Sequence, residues 1–460
     1  MTMQKRLCAG SFRARTITMQ KSCARQSLLV LFLLLKAPYV NAQISFSSLP
    51  DVWAYADMHN IRIKTMEAEK YIARKNVQQT YGNLLPAISA NGAFTDNIKI
   101  QPTLIPASLF NPTAPAGTYT EATFGRRYIY NANITAQFDL LNTRDWFSIK
   151  AEKLNEEIAG LNIAKSKADL YEQLANAYYS CLLLSKAAQL SSENLQTATA
   201  LYDIARNKFA EGQISEVTLN TALINREKAA KSLDIAEENQ ALQRNSLRQL
   251  LNTNDSIHIS DSNFIAIAFT EDTSFAPDPD VALSYKQMLA SKTQWQSSKA
   301  AFAPTLSAVY QYNTQVAADD FLKFDNSNTI PQQYWGLRLS LPLFNGNTKH
   351  YQVQKARMDY ELKQQQYEAS RLQSAIADQD IRSSFNSAGA AFDRSGTILK
   401  LYQNNDAHAG KRMEEGIISL DERLKVYSEL ITNQNEYLQS MSDYFIQQYR
   451  LKIRRINFTE

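Results

Sequence analysis

Between Gln137 and Leu251 the chain runs without a proline and with only two glycines, Gly160 and Gly212. The stretch opens on Phe138-Asp-Leu-Leu-Asn142 and continues polar and rich in alanine. From Leu170 an apolar or small residue recurs at alternating steps of four and three: Leu174, Ala177, Cys181, Leu184, Ala188, Ser191, Leu195, Ala198, Tyr202, Ala205, Phe209. That alternation is a coiled-coil seam with one polar break, at Ser191. A helix from about Arg144 to Glu211 would be roughly 100 Å long at 1.5 Å per residue, several times the width of a globular domain. Such a helix cannot curl around a core of its own and needs partners of equal length.

Its end is marked. Phe209-Ala-Glu-Gly212-Gln-Ile-Ser215 places a glycine after the last seam position and a serine three residues later, a left-handed stop followed by an N-cap. A second helix is expected over Glu216 to Leu251. An ordinary helix-helix turn would explain Gly212 alone, but Met413-Glu-Glu-Gly416-Ile-Ile-Ser419 reproduces the pattern. Walking back from it, the same steps find Ala409, Asp406, Tyr402, Leu399, Ser395, Phe392, Ala388, Phe385 and Ile381. Leu341-Pro-Leu-Phe-Asn345 stands before that helix as Phe138 to Asn142 stands before the first, at nearly the same offset as the two glycines. The chain reads as an internal duplication.

Residues 1–42 carry Lys5, Arg6, Arg13, Arg15, Lys21, Arg25 and Lys36 with no acid, then Leu28-Leu-Val-Leu-Phe-Leu-Leu-Leu35, then Val40-Asn-Ala42. These are the parts of a secretory signal cleaved after Ala42, with Met1 or Met19 as its start. The apolar run is well short of the roughly 20 residues a membrane span needs. Cys23 precedes that run, which is the wrong place for a lipid attachment. With the signal gone, 42 of the 49 basic residues face 45 acids, so the apparent basicity implies no nucleic-acid partner. Cys181 alone survives processing, which leaves neither a disulfide framework nor a cysteine metal cluster.

Leu49 to Leu84 reads as one helix that Pro86 ends. After it the period shifts towards two, with Ile88, Ala90, Gly92 and Phe94 on one face. In the returning segment Tyr128, Tyr130, Ala132, Ile134, Ala136, Phe138 and Leu140 alternate with Ile129, Asn131, Asn133, Thr135, Gln137 and Asp139. One face is apolar and one polar over the nine to eleven residues that a tilted strand needs to cross a bilayer. A half-buried strand in a soluble sandwich would read the same. Between the two strands, Gln101 to Gly117 holds four prolines and is expected to be a long exposed loop. A second hairpin follows Pro304: Leu306, Ala308, Tyr310 and Tyr312 share a face, and in its return Trp335, Leu337, Leu339 and Leu341 oppose Tyr334, Gly336, Arg338 and Ser340. Four strands cannot close a barrel, and an open edge in lipid leaves backbone groups unsatisfied, so closure has to come from several chains. Three copies would supply twelve strands.

In order and spacing, across about Leu49 to Ile456, the chain resembles the TolC-like outer-membrane efflux proteins. The resemblance implies a mainly α fold with a transmembrane β-barrel: a homotrimer whose twelve-stranded barrel is continuous with a periplasmic α-helical barrel. Residues 43–251 would form the first repeat, with hairpin 86–141 and tip turn 212–215. Residues 252–280 would be an equatorial segment that joins the C-terminal tail in a girdle. Residues 281–460 would form the second repeat, with hairpin 304–343 and tip turn 416–419, loosely ordered after Lys452. By the same resemblance, Gly212, Ser215, Gly416 and Ser419 mark the periplasmic tip where adaptor proteins dock and the channel opens. The family commonly has aspartate six residues after each glycine; here those positions are Thr218 and Glu422. Lys425 replaces a further acid, so an acidic entrance ring is not expected. Asn131, Asn133, Gln137 and Arg338 are the candidate barrel lining.

The function implied is an exit duct in the outer membrane of a Gram-negative bacterium, part of a tripartite efflux or type I secretion system. It would pass substrates delivered by an adaptor and an inner-membrane transporter of the RND or ABC type. The substrate is left open, as is whether the loop at Gln101 to Gly117 occludes the mouth. No enzyme, cofactor or metal is expected. His59, His258, His350 and His408 are isolated, no phosphate-binding glycine loop occurs, and Glu156-Glu157 and Glu237-Glu238 read as solvated helix faces. A secreted coiled-coil scaffold without a pore explains the helices and the signal, but not two amphipathic hairpins placed alike.

Overall fold

A computed structural model of the chain describes residues 43–261, 274–325 and 327–459. The expected signal segment, residues 1–42, and the apolar run Phe264–Phe269 lie outside them. In chain order the elements are β1 (Gln43–Phe46), α1 (Leu49–His59), α2 (Ile61–Gly82), β2 (Ala87–Asp96), β3 (Pro102–Pro106), β4 (Tyr119–Thr123), β5 (Tyr128–Leu141), α3 (Thr143–Ala210) and α4 (Glu216–Leu251). Then come β6 (Ser256–Ile259), α5 (Pro279–Ala300), β7 (Thr305–Ala318), β8 (Asn328–Ser340), α6 (Thr348–Glu414) and α7 (Leu420–Arg454).

The heptad run becomes α3, 68 residues long, and it is the spine of the molecule, packing against α2, α4, α5 and α7. Its seam residues Leu174, Ala177, Cys181, Ala198 and Ala205 are buried, whereas Phe209, at the last position before the turn, is exposed. The second long helix, α6, packs on α5 and α7. It buries little else in the single chain: Tyr351, Met358, Leu362, Leu372, Ile376, Ile398 and Leu401 all remain exposed. Apolar side chains recurring along one helix in this way mark a face without its partner.

Two cores hold the helices together. One lies near the middle, where Phe46, Val52, Trp53, Ile63, Leu174, Tyr178, Leu247, Leu251, Met441 and Phe445 meet. There the Trp53 ring stacks on Tyr171 at 4.7 Å and Tyr179 stacks on Phe445 at 4.8 Å. The Tyr171 and Tyr178 hydroxyls donate to Asp57 and Asp261, so their polar ends are satisfied inside an apolar layer. The other core gathers Ala198, Leu201, Ala205, Ala222, Leu420, Leu424 and Tyr427 at the far end of the long helices.

Several expectations need correction. Leu49 to Leu84 is two helices, broken at Asn60. The Asn60 side chain accepts from the Arg62 backbone N–H and donates to the Leu250 carbonyl at 2.7 Å, while the Ile61 N–H donates to Asn252. The break is therefore fixed by the end of α4. The stretch expected as a loop contains a two-stranded ribbon, in which Pro102 pairs with Thr123 and Pro106 with Tyr119. These prolines sit at the two ends of an edge strand, where their missing N–H groups are tolerated. Both strands of the second hairpin lie within the expected 304–343, but they run further towards its loop than Tyr312 and Tyr334, to Ala318 and from Asn328. β6 finds its strand partner in β1, running parallel in register from Gln43↔Ser256 to Phe46↔Ile259. The chain beyond Lys452 is anchored rather than loose. α7 continues to Arg454, whose guanidinium holds Asp378 at 2.7 and 3.1 Å, and the Phe458 ring lies 5.3 Å from Tyr171.

β2, β5, β7 and β8 form one antiparallel sheet in the order β2-β5-β7-β8, with β2 and β8 as its edges. In β5, Leu140 is an extra residue between Asp139↔Ser307 and Leu141↔Leu306, a bulge that bends the strand just before α3 begins.

Candidate functional site: the paired helix tips and the polar face of the sheet

The two helix-helix turns use the same chemistry. Gly212 and Gly416 both have φ +73°, and a Cβ at either would meet nothing within 4 Å, so it is backbone conformation and not crowding that calls for glycine. Behind each glycine the chain closes back on its helix: Gln213 N–H donates to the Lys208 carbonyl and Ile417 N–H to the Arg412 carbonyl, each at 2.8 Å. Ser215 Oγ then accepts from the Thr218 N–H and Ser419 Oγ from the Glu422 N–H, both at 3.2 Å. These are the expected stop and N-cap, twice.

The structure brings the tips together through Thr218 and a partner the sequence did not single out, Asp421. Thr218, 4% exposed, donates its hydroxyl to Asp421 Oδ2 at 3.2 Å, and its Oγ1 lies 3.0 Å from Ser215 Oγ. Thr218 is thus a bridge between the two hairpins. Glu422 and Lys425 are both exposed. Further back, the Arg423 guanidinium takes the Asp406 carboxylate in a bidentate pair. Asp406 stood in the sequence only as a polar break in the seam; an acid at a seam position was the available signal for a buried cation opposite. Tyr427 is buried beside this pair, and its hydroxyl donates to the Asn194 carbonyl at 2.7 Å, tying α7 to α3. Burial raises the Tyr427 hydroxyl pKa, so the hydroxyl stays protonated and able to donate.

The sheet sorts its residues by face as the period-two pattern requires. Cross-strand partners put Ile88, Ala136, Tyr310 and Trp335 on one face, and Asn91, Asn133, Asn313 and Gln332 on the other. The candidate lining residues Asn131, Asn133, Gln137 and Arg338 share that second face. On it Asn91 donates to Asn133 at 3.1 Å and the Tyr334 hydroxyl to Gln311 at 2.6 Å. Asn91, Asn313 and Gln332 share this face and were not among the candidates. The polar alternation running on past Tyr312, through Asn313 and Gln315, was the signal that could have found them.

Residues 56–253 match the family model described as Outer membrane efflux protein. Over that segment the chain is similar to the outer membrane efflux proteins. The family recognised from the duplicated hairpins and tip turns is the one that matches. No curated protein matches the chain. Among solved structures it is similar to the outer membrane protein VceC of Vibrio cholerae, at 16% identity with a TM-score of 0.72 over 89% of this chain and 96% of that one. The CmeC outer membrane channel of Campylobacter jejuni is similar at 15% identity and TM-score 0.71, over 89% and 85%. The MtrE outer membrane channel of Neisseria gonorrhoeae, in its open state, is similar at 18% and 0.65, over 87% and 88%. At these identities the likeness is one of fold, and it carries the efflux-protein architecture through the second half of the chain.

Proposed function

We propose that the protein is an outer-membrane efflux channel, the exit duct of a tripartite efflux or type I secretion system. The observation that carries this reading is the four-stranded sheet β2-β5-β7-β8, apolar on one face, polar on the other and open at both edges. A strand edge in hydrocarbon leaves its N–H and C=O groups unsatisfied, at several kcal/mol each. Three copies joined β8 to β2 form a closed twelve-stranded barrel with the polar face inward. The same association covers the apolar side chains left exposed on α6. The paired tips at Gly212–Ser215 and Gly416–Ser419 then face the periplasm, where an adaptor docks and an inner-membrane transporter of the RND or ABC type supplies the energy. The duct itself is passive, and its work is transport rather than catalysis. The scaffold reading has no use for a sheet with one apolar and one polar face.

The test is to extract the protein from outer membranes in detergent, measure its oligomeric mass, and record the same sample in a planar bilayer. A trimer with discrete conductance steps is expected. A soluble monomer that never conducts would return the coiled-coil scaffold to first place.

A further inference from the structure

The polar face of the sheet carries an unusual balance. Its central rung is made of side-chain carboxamides on all four strands: Asn91, Asn133, Asn313 and Gln332 in direct cross-strand register. From that rung to the outer ends of the strands, every residue on this face is uncharged. Towards the helices, charge appears only on the rung that pairs Asp139 with Ser307 and Ser307 with Arg338, one acid and one base. The Ser307 hydroxyl donates to Asp139 at 2.8 Å. We infer that the barrel is a charge-neutral conduit that does not discriminate by the sign of the solute's charge, with the carboxamide rung as its polar lining. This rests on the channel reading above. Carboxamides both donate and accept hydrogen bonds, so they replace water equally for cations, anions and neutral polar solutes. A closed trimer repeats the rung three times, giving twelve carboxamides and no net field to concentrate ions of one sign.

The experiment measures the cation-to-anion permeability ratio from reversal potentials of the purified trimer in a potassium chloride gradient. Wild type is compared with Asn133→Asp, Asn133→Lys, Asp139→Asn and Arg338→Gln, each verified as a trimer by mass. Asn133→Asp is expected to raise the ratio about threefold in 0.1 M salt and Asn133→Lys to lower it similarly, since each places three like charges in the barrel. Arg338→Gln should move the ratio towards cations and Asp139→Asn towards anions. Conducting trimers whose ratio ignores both Asn133 variants would overturn the lining. A wild-type ratio far from unity that returns towards it in Asp139→Asn or in Arg338→Gln would overturn the neutrality. Trimers that never conduct would instead sink the channel reading, a separable outcome.

Discussion

Arg423 and Asp406 form a bidentate ion pair, 2.5 and 3.1 Å long, with side chains only 7% and 19% exposed, joining α6 to α7 within the tip core. At the matching positions of the first hairpin stand Tyr202 and Leu219. The two hairpins therefore solve the same packing problem in different ways, one ionic and one apolar. Removing a single partner leaves a buried charge uncompensated, so Arg423→Ala or Asp406→Ala is expected to destabilise the protein by about 3–5 kcal/mol. The double change Asp406→Tyr with Arg423→Leu, borrowing the first hairpin's solution, should recover most of that. Thermal unfolding of all four proteins checks it; equal losses in the single and double variants would count against the pairing.

The hydroxyl of Thr218 is the polar bridge from α4 to Asp421 on α7. Thr218→Val keeps the shape and removes the donor, at about 1–2 kcal/mol given that Asp421 is exposed. Bilayer recordings should show more frequent opening for Thr218→Val and wild-type behaviour for Thr218→Ser. Identical traces for the two variants would show that this bridge does not restrain the tips.

Both tip glycines are held at φ +73° with open space around them. Alanine at either position is expected to cost about 1–2 kcal/mol through backbone strain alone. Asparagine, which tolerates the left-handed region, should cost less. Amide hydrogen exchange at the flanking helix ends measures the local opening directly.

Burial pushes the Cys181 thiol up to about 11 from an ordinary 9.0. The folded state thus opposes ionisation that the unfolded chain undergoes freely. The stabilisation is complete below pH 9 and is lost as pH rises towards 11, by up to about 2–3 kcal/mol. Buried tyrosines such as Tyr179, raised to about 12, add to the alkaline loss. The cysteine's share is the difference between wild type and Cys181→Ala in stability from pH 9 to 11. At pH 8 the thiol should resist a maleimide until the protein unfolds.

Leu337 lies on the apolar face of β8, across from Ala308, which pairs in turn with Phe138. Leu337→Arg should weaken insertion by about 2–4 kcal/mol if the position lies at mid-bilayer, whereas Gln332→Arg on the other face should insert normally. Outer-membrane yield of the two variants reads the difference.

Local chemistry made the long helices and their turns legible in the sequence. Gly212 and Ser215 announce a stop and a cap without reference to anything distant, and α4 begins and ends where its pattern does. The strand faces were legible too, because period two depends only on near neighbours. What escaped was fixed from afar. Asn60 breaks a helix because the end of α4, almost two hundred residues on, supplies its partners. Asp406 looked like a flaw in the seam because Arg423 belongs to the next helix. Asp421 became notable only once folding had placed Thr218 beside it. The β3–β4 ribbon hid behind its prolines, whose positions at the strand ends emerge only from the pairing.

The parallel pairing of β1 with β6 sets an order of events. Parallel strands need a long crossover, and this one encloses both α3 and α4 along with the first hairpin. The first described strand to be synthesised must wait for that whole length before its backbone groups find partners, a contact of very high sequence separation and therefore a late one. Assembly of the middle of the molecule is then a check on completeness. A chain truncated before Ser256 would leave Gln43–Phe46 as an unpaired sticky edge, recognisable to quality-control machinery, and only a chain that has made the first hairpin and both of its helices can hide it.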